Sequence, residues 1–309
     1  MQILIIDRFR PEFIERLGEL PVQLAYFPDA DRKKVKEEIG EADVLVLNSK
    51  VKVDKEMIDL ADQLQLVVRA GVGTDHIDGA YLSEKGIKLQ NCAGSNADAV
   101  AEQTVAMLLV IRNHLLRADQ EVRQFIWRRG ENRGHELTNK TVGIIGYGNT
   151  GSQVAKRLSS FGCRILAYDK YKHDFANSYT EEVELAQIFE EAEVLSMHVP
   201  LTAKTRQWVN RDFLQKFKSP IYLLNLARGP IVDIADLLTA LDEGKVIAAA
   251  LDVLPNEKMH LLSEEEKTLY ENLFSRPNVM LSPHIGGWTF ESLQNIDDMI
   301  IDAVKAYLN

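Results

Sequence analysis

Short apolar runs alternate with amphipathic helical patterns over the first quarter of the chain. The apolar runs are QILIID, VQLAYF, DVLVLN and LQLVVRA, and the patterns between them are PEFIERLGEL, DRKKVKEEIGEA and VDKEMIDLAD. Strands separated by helices in this way pair in parallel, with the helices on both faces of the sheet. The pattern therefore predicts a parallel α/β unit at the start of the chain.

The alternation of strands and helices is interrupted after Asn91 and restarts at Lys140. A single long helix is predicted from Ala97 to about Arg117, with Asp98 near its start and an apolar middle that is typical of a buried helix. Beyond Lys140, six strand-like runs predict a second doubly wound unit: TVGIIG, RILAYD, EVLSMHV, IYLLNLA, VIAAALDV and NVMLS. An amphipathic helix from Phe290 to Tyr307 ends the sequence, and we expect it to complete the first unit.

The expected topology is therefore discontinuous, with residues 1–95 and 286–309 in one domain and residues 96–285 in the other. A chain of 309 residues with 46% hydrophobic content favours two domains over one. The 46 acidic residues outnumber the 36 basic ones, and no basic run of five occurs. This charge balance argues against binding to nucleic acid or to an anionic membrane surface.

The first residues of the sequence, its apolar stretches and its cysteines indicate the cellular compartment that we expect for the protein. MQILIIDR begins directly with an apolar strand pattern and shows no basic leader or cleavage site, so we expect no secretion signal and a cytoplasmic location. No apolar stretch approaches the length of a membrane span. Cys92 and Cys163 belong to no CxxC pattern, so structural thiols are expected and no metal site is predicted.

A glycine-rich turn, GYGNTG, lies between the strand pattern TVGII and the helix pattern SQVAKRLSS. Gly146 suits the tight turn, Gly148 allows backbone N–H groups to approach a pyrophosphate, and Gly151 allows the helix to pack closely on the strand.

Asp169 ends the next strand, where a carboxylate would accept hydrogen bonds from ribose hydroxyls and repel a 2′-phosphate. The turn thus predicts a dinucleotide site and favours NAD over NADP, although Lys170 and Lys172 soften the repulsion. S-adenosylmethionine sites have related turns and are the main alternative from this turn alone. The predicted cofactor residues of the turn and the next strand are Gly146, Tyr147, Gly148, Asn149, Thr150, Gly151 and Asp169.

Further motifs follow the order of one enzyme family along nearly the whole chain. They are RAGVGTDHID at 69–78, NADAVAEQTVAMLL at 96–109, HVPLTAKT at 198–205, NLARGPIVD at 225–233, AALDV at 249–253 and SPHIGG at 282–287. With these motifs the sequence resembles the D-isomer-specific 2-hydroxyacid dehydrogenases. The resemblance implies an NAD-dependent oxidoreductase that moves a hydride to or from C2 of a small D-2-hydroxy acid. It also implies a homodimer built on the NAD-binding domains. The predicted fold class is α/β, with two doubly wound parallel-sheet domains, in which a Rossmann NAD-binding domain is inserted into a flavodoxin-like substrate domain.

An arginine, an acid and a histidine carry the reaction in that family, and the motifs place them at Arg228, Glu257 and His284. The resemblance implies that Arg228 holds the substrate carboxylate and polarises the C2 carbonyl, because a planar guanidinium suits a carboxylate. It implies that His284 exchanges a proton with the C2 oxygen while Glu257 orients the imidazole. Lys258 stands where the family usually has proline after the acid, which departs from its pattern.

The same resemblance extends the set of predicted ligand-binding residues. Further cofactor contacts are predicted at Thr104, His198, Val199, Pro200, Thr205, Leu226, Ala227, Asp252 and Gly286. His198 is expected to line the nicotinamide site without acid–base work. Substrate contacts are predicted at Asn48, Ser49, Lys50, Gly71, Val72 and Gly73, where backbone N–H groups after Arg69 can form an anion nest.

The choice of substrate stays open at this stage. Phosphoglycerate enzymes commonly have arginine and serine where this chain has Asn48 and Ser49, so a phosphate would have to be met by Lys50, or by Arg129 or Arg133 of a partner subunit. The sequence favours 3-phosphoglycerate narrowly over glycerate, glyoxylate or hydroxypyruvate. The alternative from another class is an NAD(H)-sensing interaction protein, because transcriptional corepressors also resemble this family.

Overall fold

The computed structural model describes residues 1–308 and divides them into two compact units. Met1–Asn96 and the segment that begins at Thr289 form the first unit, and Ala97–Trp288 form the second. The boundaries predicted from the sequence lie slightly earlier, at residue 95 against 96 and at residue 286 against 289.

Helices and strands alternate within each unit. The strands are β1 (Gln2–Ile5), β2 (Gln23–Tyr26), β3 (Val44–Leu47), β4 (Leu66–Arg69), β5 (Lys88–Asn91), β6 (Thr141–Ile145), β7 (Arg164–Tyr168), β8 (Glu181–Glu182), β9 (Val194–Met197), β10 (Ile221–Asn225), β11 (Val246–Leu251) and β12 (Val279–Leu281). The α-helices are α1 (Pro11–Gly18), α2 (Arg32–Glu38), α3 (Lys55–Ile58), α4 (Gly79–Glu84), α5 (Ala97–Arg112), α6 (Leu115–Arg123), α7 (Asn149–Ser159), α8 (Leu185–Glu191), α9 (Arg211–Gln215), α10 (Ile234–Asp242), α11 (Glu264–Phe274) and α12 (Phe290–Leu308). Short 3₁₀ turns occur at Ile39–Glu41, Gly229–Ile231 and Met259–Leu261.

The first unit is a parallel sheet with the strand order β2-β1-β3-β4-β5. This is the 2-1-3-4-5 order of flavodoxin-like folds. Helix α12 packs on one face through Ile296, Ile300, Ile301 and Val304, so the last helix completes this unit as expected. The sequence pattern did not predict β5, because its residues are half-exposed at the sheet edge and include no long apolar run.

The second unit is a parallel sheet with the strand order β12-β11-β10-β9-β6-β7-β8. It contains the 3-2-1-4-5-6 order of dinucleotide-binding folds, extended by one strand at the β12 edge. The six predicted strands are present, and the two-residue strand β8 adds to them at the opposite edge. The predicted fold class, α/β with two doubly wound parallel sheets, is therefore confirmed.

The prediction of one helix from Ala97 to Arg117 is wrong. Helix α5 ends at Arg112, and α6 begins only after His114, whose φ of 52° lies in the left-handed region. The chain at Gly134 crosses this point so closely that a Cβ on Gly134 would lie 2.3 Å from the side-chain oxygen of Asn113. The backbone N–H of His135 donates to the carbonyl oxygen of Arg112 at 3.2 Å. The segment at Gly134 and His135 thus packs against the end of α5 and bonds its last carbonyl group. A local sequence pattern does not reveal such a contact with a distant segment.

Three neighbouring strands of the second unit end at one level. The register pairs Asn225 of β10 with Leu251 of β11, and Leu251 with Leu281 of β12. Parallel strands present their carboxyl ends at the same sheet edge, which is where doubly wound folds bind ligands. The segments that follow these strand ends carry the three residues predicted to be catalytic, namely Arg228, Glu257 and His284.

The helices and the potential metal-ligating side chains of residues 1–308 show no further kind of site. None of the helices in this range combines the length and apolar character needed to cross a membrane. Within the same range, no group of three or more His, Cys, Asp or Glu side chains is placed to hold a metal ion.

Candidate active site

The glycine-rich turn has the shape that a dinucleotide requires. Gly146 has a φ of 95°, and a Cβ there would lie 2.4 Å from the carbonyl oxygen of His198. A Cβ on Gly151 would lie 2.0 Å from the carbonyl oxygen of Gly146, so the first turn of α7 packs directly on the end of β6. In contrast, nothing lies within 4 Å of a Cβ built on Gly148. This glycine precedes α7 and supplies no side-chain cap, so the helix N–H groups at this end are open to a phosphate.

A cavity of about 380 Å³ lies beside this turn. The ends of β6, β7 and β9 form it, and its lining includes Gly146, Gly148, Asp169, Val199, Pro200 and Thr205 among the predicted cofactor residues. Lys204 and Trp208 also line the cavity and were not predicted. The turn, the open helix end and the cavity fit the pyrophosphate and adenosine of a dinucleotide.

Asp169 has its carboxylate fixed at the end of β7. It accepts hydrogen bonds from the backbone N–H groups of Tyr147, Tyr171 and Lys172, at 2.8, 2.9 and 3.0 Å. Burial raises the pKa of Asp169, but these hydrogen bonds outweigh burial and leave the pKa below its ordinary value. The carboxylate is therefore ionised at neutral pH and stands rigidly in the cofactor cavity.

His198 lies in the same cavity, directly after β9. Its Nε2 lies 2.7 Å from the hydroxyl oxygen of the fully buried Ser196. Burial lowers the pKa of His198 to about 4, so the imidazole is neutral at physiological pH. A neutral side chain held in this way agrees with a lining role and does not suit a proton donor at pH 7.

Several predicted cofactor residues have side chains that the protein itself encloses. Thr104 and Asp252 are buried, and the Thr104 hydroxyl donates to the carbonyl oxygen of Val100 at 2.7 Å. The hydroxyl of Tyr147 lies 3.1 Å from that of Thr180. Leu226, Ala227 and Gly286 lie next to the predicted catalytic residues in sequence and are buried or partly buried. Direct cofactor contact at these positions stays a prediction.

Arg228 follows β10 in a loop that is held by hydrogen bonds from Asn225 and by close packing against Leu254. The side chain of the buried Asn225 accepts from the N–H of Ala227 at 3.1 Å and donates to the carbonyl oxygen of Arg228 at 3.0 Å. Gly229 is so tightly packed that a Cβ would lie 2.0 Å from the carbonyl oxygen of Leu254. The Arg228 loop and the segment that leads to Glu257 therefore press against each other.

The side chains of His284 and Glu257 lie within hydrogen-bonding distance of each other. His284 Nδ1 lies 2.9 Å from Glu257 Oε2, and the two side chains are 46% and 44% exposed. Because Nδ1 faces the carboxylate, Nε2 of the same ring is left for a substrate. Lys258, the departure from the family pattern, does not prevent the pair from forming.

The backbone that presents His284 is strained. The φ of His284 is 56°, in the left-handed region, which costs about 1 kcal/mol for a residue with a Cβ. Asp252, at the end of β11, offsets this cost. Its carbonyl oxygen accepts from His284 N at 2.7 Å, and its carboxylate accepts from Ile285 N at 3.0 Å and Gly286 N at 2.8 Å. The side chain of Asp252 therefore shapes the loop that carries the histidine.

The predicted substrate loops lie at the carboxyl ends of β3 and β4 in the first unit. Asn48 is clamped through its backbone, because its N–H donates to the buried Asp7 at 2.6 Å and its carbonyl oxygen lies 2.7 Å from His76 Nε2. Burial lowers the pKa of His76, so the ring is neutral and donates from Nε2. Ser49 and Lys50 are exposed beyond this clamp.

The second substrate loop, Gly71 to Gly73, is held in a comparable way. Gly71 has a φ of 139°, and a Cβ there would overlap the guanidinium of Arg69. The side chain of Asn91, at the end of β5, donates to the carbonyl oxygen of Val72 at 2.7 Å. Polar side chains from other segments of the first unit thus hold both loops.

Sequence reasoning missed the buried polar side chains that shape these loops. Ser196, Asn225 and Asp7 each occur at or just after an apolar strand, and each is almost fully buried. A polar residue that interrupts an apolar strand near its carboxyl end is the signal that could have identified them, because buried polar groups require partners.

The profile of the family "D-isomer specific 2-hydroxyacid dehydrogenase, NAD binding domain" matches residues 105–286. The chain is 34% identical over 299 residues to a hydroxypyruvate reductase of Thermotoga maritima, and the match covers 97% of this chain and 94% of that protein. It is 34% identical over 314 residues to a D-3-phosphoglycerate dehydrogenase of Methanocaldococcus jannaschii, which covers 100% of this chain but only 57% of that protein.

Solved structures give the same relationship. The fold matches a D-lactate dehydrogenase of Aquifex aeolicus, solved with NAD and lactic acid, with a TM-score of 0.88 at 29% identity over 99% of this chain and 95% of that one. It also matches an NAD-dependent formate dehydrogenase of Staphylococcus aureus, solved with NAD, with a TM-score of 0.83 at 26% identity over 100% and 96% of the two chains. The chain therefore belongs to the family of D-isomer specific 2-hydroxyacid dehydrogenases, which are NAD-dependent oxidoreductases.

Proposed function

We propose that His284 is the acid–base residue of this dehydrogenase and that Arg228 and Glu257 act with it on a small D-2-hydroxy acid. The observation that carries the proposal is the 2.9 Å contact between His284 Nδ1 and Glu257 Oε2, on loops that follow adjacent strands. His198, an imidazole that lines the cofactor cavity, has its pKa lowered to about 4 and is a poor proton donor at neutral pH.

The chain's own residues divide the work by chemistry. When bound, NAD supplies the C4 position that accepts or gives the hydride. During oxidation, His284 Nε2 takes the proton from the C2 hydroxyl, and the charge that develops on the ring is balanced by Glu257 at Nδ1. Arg228 holds the substrate carboxylate with its planar guanidinium and polarises the C2 carbonyl in the reverse direction.

The two predicted substrate loops of the first unit are the basis on which we propose the substrate. The backbone N–H groups of Gly71, Val72 and Gly73 suit the carboxylate that all 2-hydroxy acids share. D-3-phosphoglycerate is the first candidate, because the exposed Lys50 gives the neighbouring loop a positive charge that a phosphate could meet. Hydroxypyruvate is the second, because Asn48 carries no charge and because the hydroxypyruvate reductase relative matches this chain over 94% of its own length.

We propose that Asp169 sets a preference for NAD over NADP. Three backbone N–H groups hold its carboxylate in place, so it cannot swing away from a 2′-phosphate without losing those bonds. Lys170 and Lys204 line the same cavity and would attract that phosphate once the carboxylate charge is removed.

We further propose a homodimer built on the NAD-binding unit. Large apolar side chains are exposed along one segment of this unit, namely Leu115, Leu116, Val122, Phe125 and Trp127. The side chains of Phe125 and Trp127 are 100% and 77% exposed, which is costly for a surface that stays in water. A second copy of the chain would cover them. A cytoplasmic location stays a prediction from the sequence.

The first prediction concerns His284. We expect His284→Ala to lose roughly a hundred- to ten-thousand-fold in kcat for NADH oxidation with 2-oxo acids, because the proton donor is removed. NADH binding, measured by fluorescence titration, should be retained. His198→Asn is the matched control for loss of an imidazole near the cofactor and should keep turnover within about tenfold, since His198 is neutral at the assay pH.

The same assay separates the dehydrogenase from an NAD(H)-sensing interaction protein. Tight NADH binding by the wild-type chain without turnover on any 2-oxo acid would support the sensor. Turnover that survives His284→Ala would show that another group donates the proton.

The second prediction concerns phosphate recognition. With phosphohydroxypyruvate as substrate, we expect Lys50→Ala to raise KM by about fivefold or more, because one charged contact to the phosphate is lost. With hydroxypyruvate, the same variant should match the wild type. Lys52→Ala, a nearby lysine outside the loop, is the control. Equal wild-type kcat/KM for the two substrates, untouched by Lys50→Ala, would rule out phosphate recognition at this loop.

The third prediction concerns the coenzyme. We expect Asp169→Asn to reduce the ratio of kcat/KM for NADH over NADPH by roughly tenfold or more, because the neutral amide no longer repels the 2′-phosphate. Asp174→Asn, a charge change of the same kind outside the cavity lining, should leave the ratio unchanged. The role of Asp169 would be refuted by a ratio that stays at the wild-type value.

The fourth prediction concerns the oligomeric state. The wild-type chain should sediment as a dimer, and the double variant Phe125→Glu with Trp127→Glu should sediment as a monomer, because two charges would be buried without partners. Phe290→Glu, which changes an equally exposed aromatic residue in the other unit, should remain a dimer. A wild-type monomer at micromolar concentration would contradict the proposal.

A further inference from the structure

The carboxylate of Asp252 bonds the backbone of the loop that carries His284. Asp252 is buried, and its two carboxylate oxygens accept from Ile285 N, Gly286 N and the hydroxyl of Ser282. A Cβ on Gly286 would lie 2.9 Å from Asp252 Oδ2, so the loop fits closely around this group. A side chain that holds the Asp252 carboxylate therefore acts on the backbone directly after His284.

Gln103 is such a side chain. Its Nε2 lies 2.9 Å from Asp252 Oδ1 and 3.0 Å from the hydroxyl oxygen of Ser282. It is the one contact to this carboxylate from outside the β11 and β12 segments among the described hydrogen bonds. Its two N–H donors therefore tie together the residue that shapes the loop and the residue with which the loop begins.

The amide of Gln103 is held on a rigid element. It lies on α5, whose neighbouring residues Ala101, Thr104 and Leu108 are buried in the core of the second unit. The same amide nitrogen also contacts the sulfur of Met107, one turn further along α5, at 3.8 Å. A helix packed in this way transmits its position to the groups that its side chains bond.

We propose that Gln103 is a positioning residue for the reaction, which sets the placement of the His284 imidazole through Asp252 and Ser282. The inference rests on the proposed role of His284. The carboxylate of Asp252 accepts from the two N–H groups that directly follow the strained His284, and the amide of Gln103 holds one oxygen of this carboxylate. The same arrangement also holds the hydroxyl of Ser282, because it accepts a hydrogen bond from Gln103 and donates one to Asp252.

Gln103→Leu tests the proposal, because leucine keeps much of the volume and removes the donor. We expect kcat for reduction of a 2-oxo acid to fall roughly ten- to hundred-fold, since a small displacement of a catalytic group is enough for such a loss. The NADH dissociation constant and the midpoint of thermal unfolding should stay close to the wild type. Gln103→Glu should be worse than Gln103→Leu, because it would face Asp252 with a second carboxylate.

Two further variants make the test specific. Gln215→Leu is the matched control, because its amide also donates to a carboxylate, that of Glu243 at 3.0 Å, on the exposed surface of the same unit. It should keep wild-type kcat. Ser282→Ala alone should also lower kcat, and the double variant with Gln103→Leu should lose less than the product of the two single losses, because both act on Asp252.

The outcomes separate this inference from the proposed function. If His284→Ala abolishes turnover but Gln103→Leu matches the wild type, the proposal for Gln103 is refuted and the role of His284 stands. If Gln103→Leu lowers kcat only in step with weaker NADH binding and a lower unfolding midpoint, the residue is merely structural and the proposal fails. If His284→Ala itself retains turnover, the proposed function fails first.

Discussion

The register of β10, β11 and β12 is the constraint on which the candidate site depends. Hydrogen bonding between parallel strands fixes Asn225, Leu251 and Leu281 at one level of the sheet. The chain then leaves the sheet three times at the same edge, although the three exits are separated by many residues in sequence. A shift of one residue in any of these pairings would turn every side chain of that strand to the opposite face and would displace the loop that follows.

A sheet edge alone does not hold reactive side chains in place, and buried polar groups at the strand ends do so here. Asn225 bonds both sides of the Arg228 loop, and Asp252 bonds the backbone on both sides of His284. Buried donors and acceptors are costly when unpaired, so each of these groups favours a single loop conformation strongly. This explains how His284 keeps a left-handed backbone without glycine at that position.

Local patterns in the sequence predicted the parts of the molecule that local physics determines. Strand and helix periodicity predicted both doubly wound sheets, and the spacing of Gly146, Gly148 and Gly151 predicted the cofactor turn. Gly146 has a φ of 95°, Gly148 leaves the start of α7 uncapped, and Gly151 packs against the carbonyl oxygen of Gly146. The pairing of His284 with Glu257 followed from motifs, and not from spacing. Features that depend on distant segments were out of reach: α5 stops where the chain at Gly134 crosses it, and β5 is a strand only because β4 lies beside it.

His198 and His284, which both lie in the second unit, show why burial and partner chemistry decide a role more directly than residue type does. His198 is paired with a neutral hydroxyl, and burial of the ring lowers its pKa to about 4. His284 is nearly half-exposed and faces a carboxylate, which compensates a charge on the ring and leaves Nε2 directed away from that partner. The proposed reaction requires one ring that gains and loses a proton at each turnover, beside a cofactor pocket whose charge stays constant. The placement of Glu257 beside His284 and of Ser196 beside His198 is consistent with this proposed division of roles.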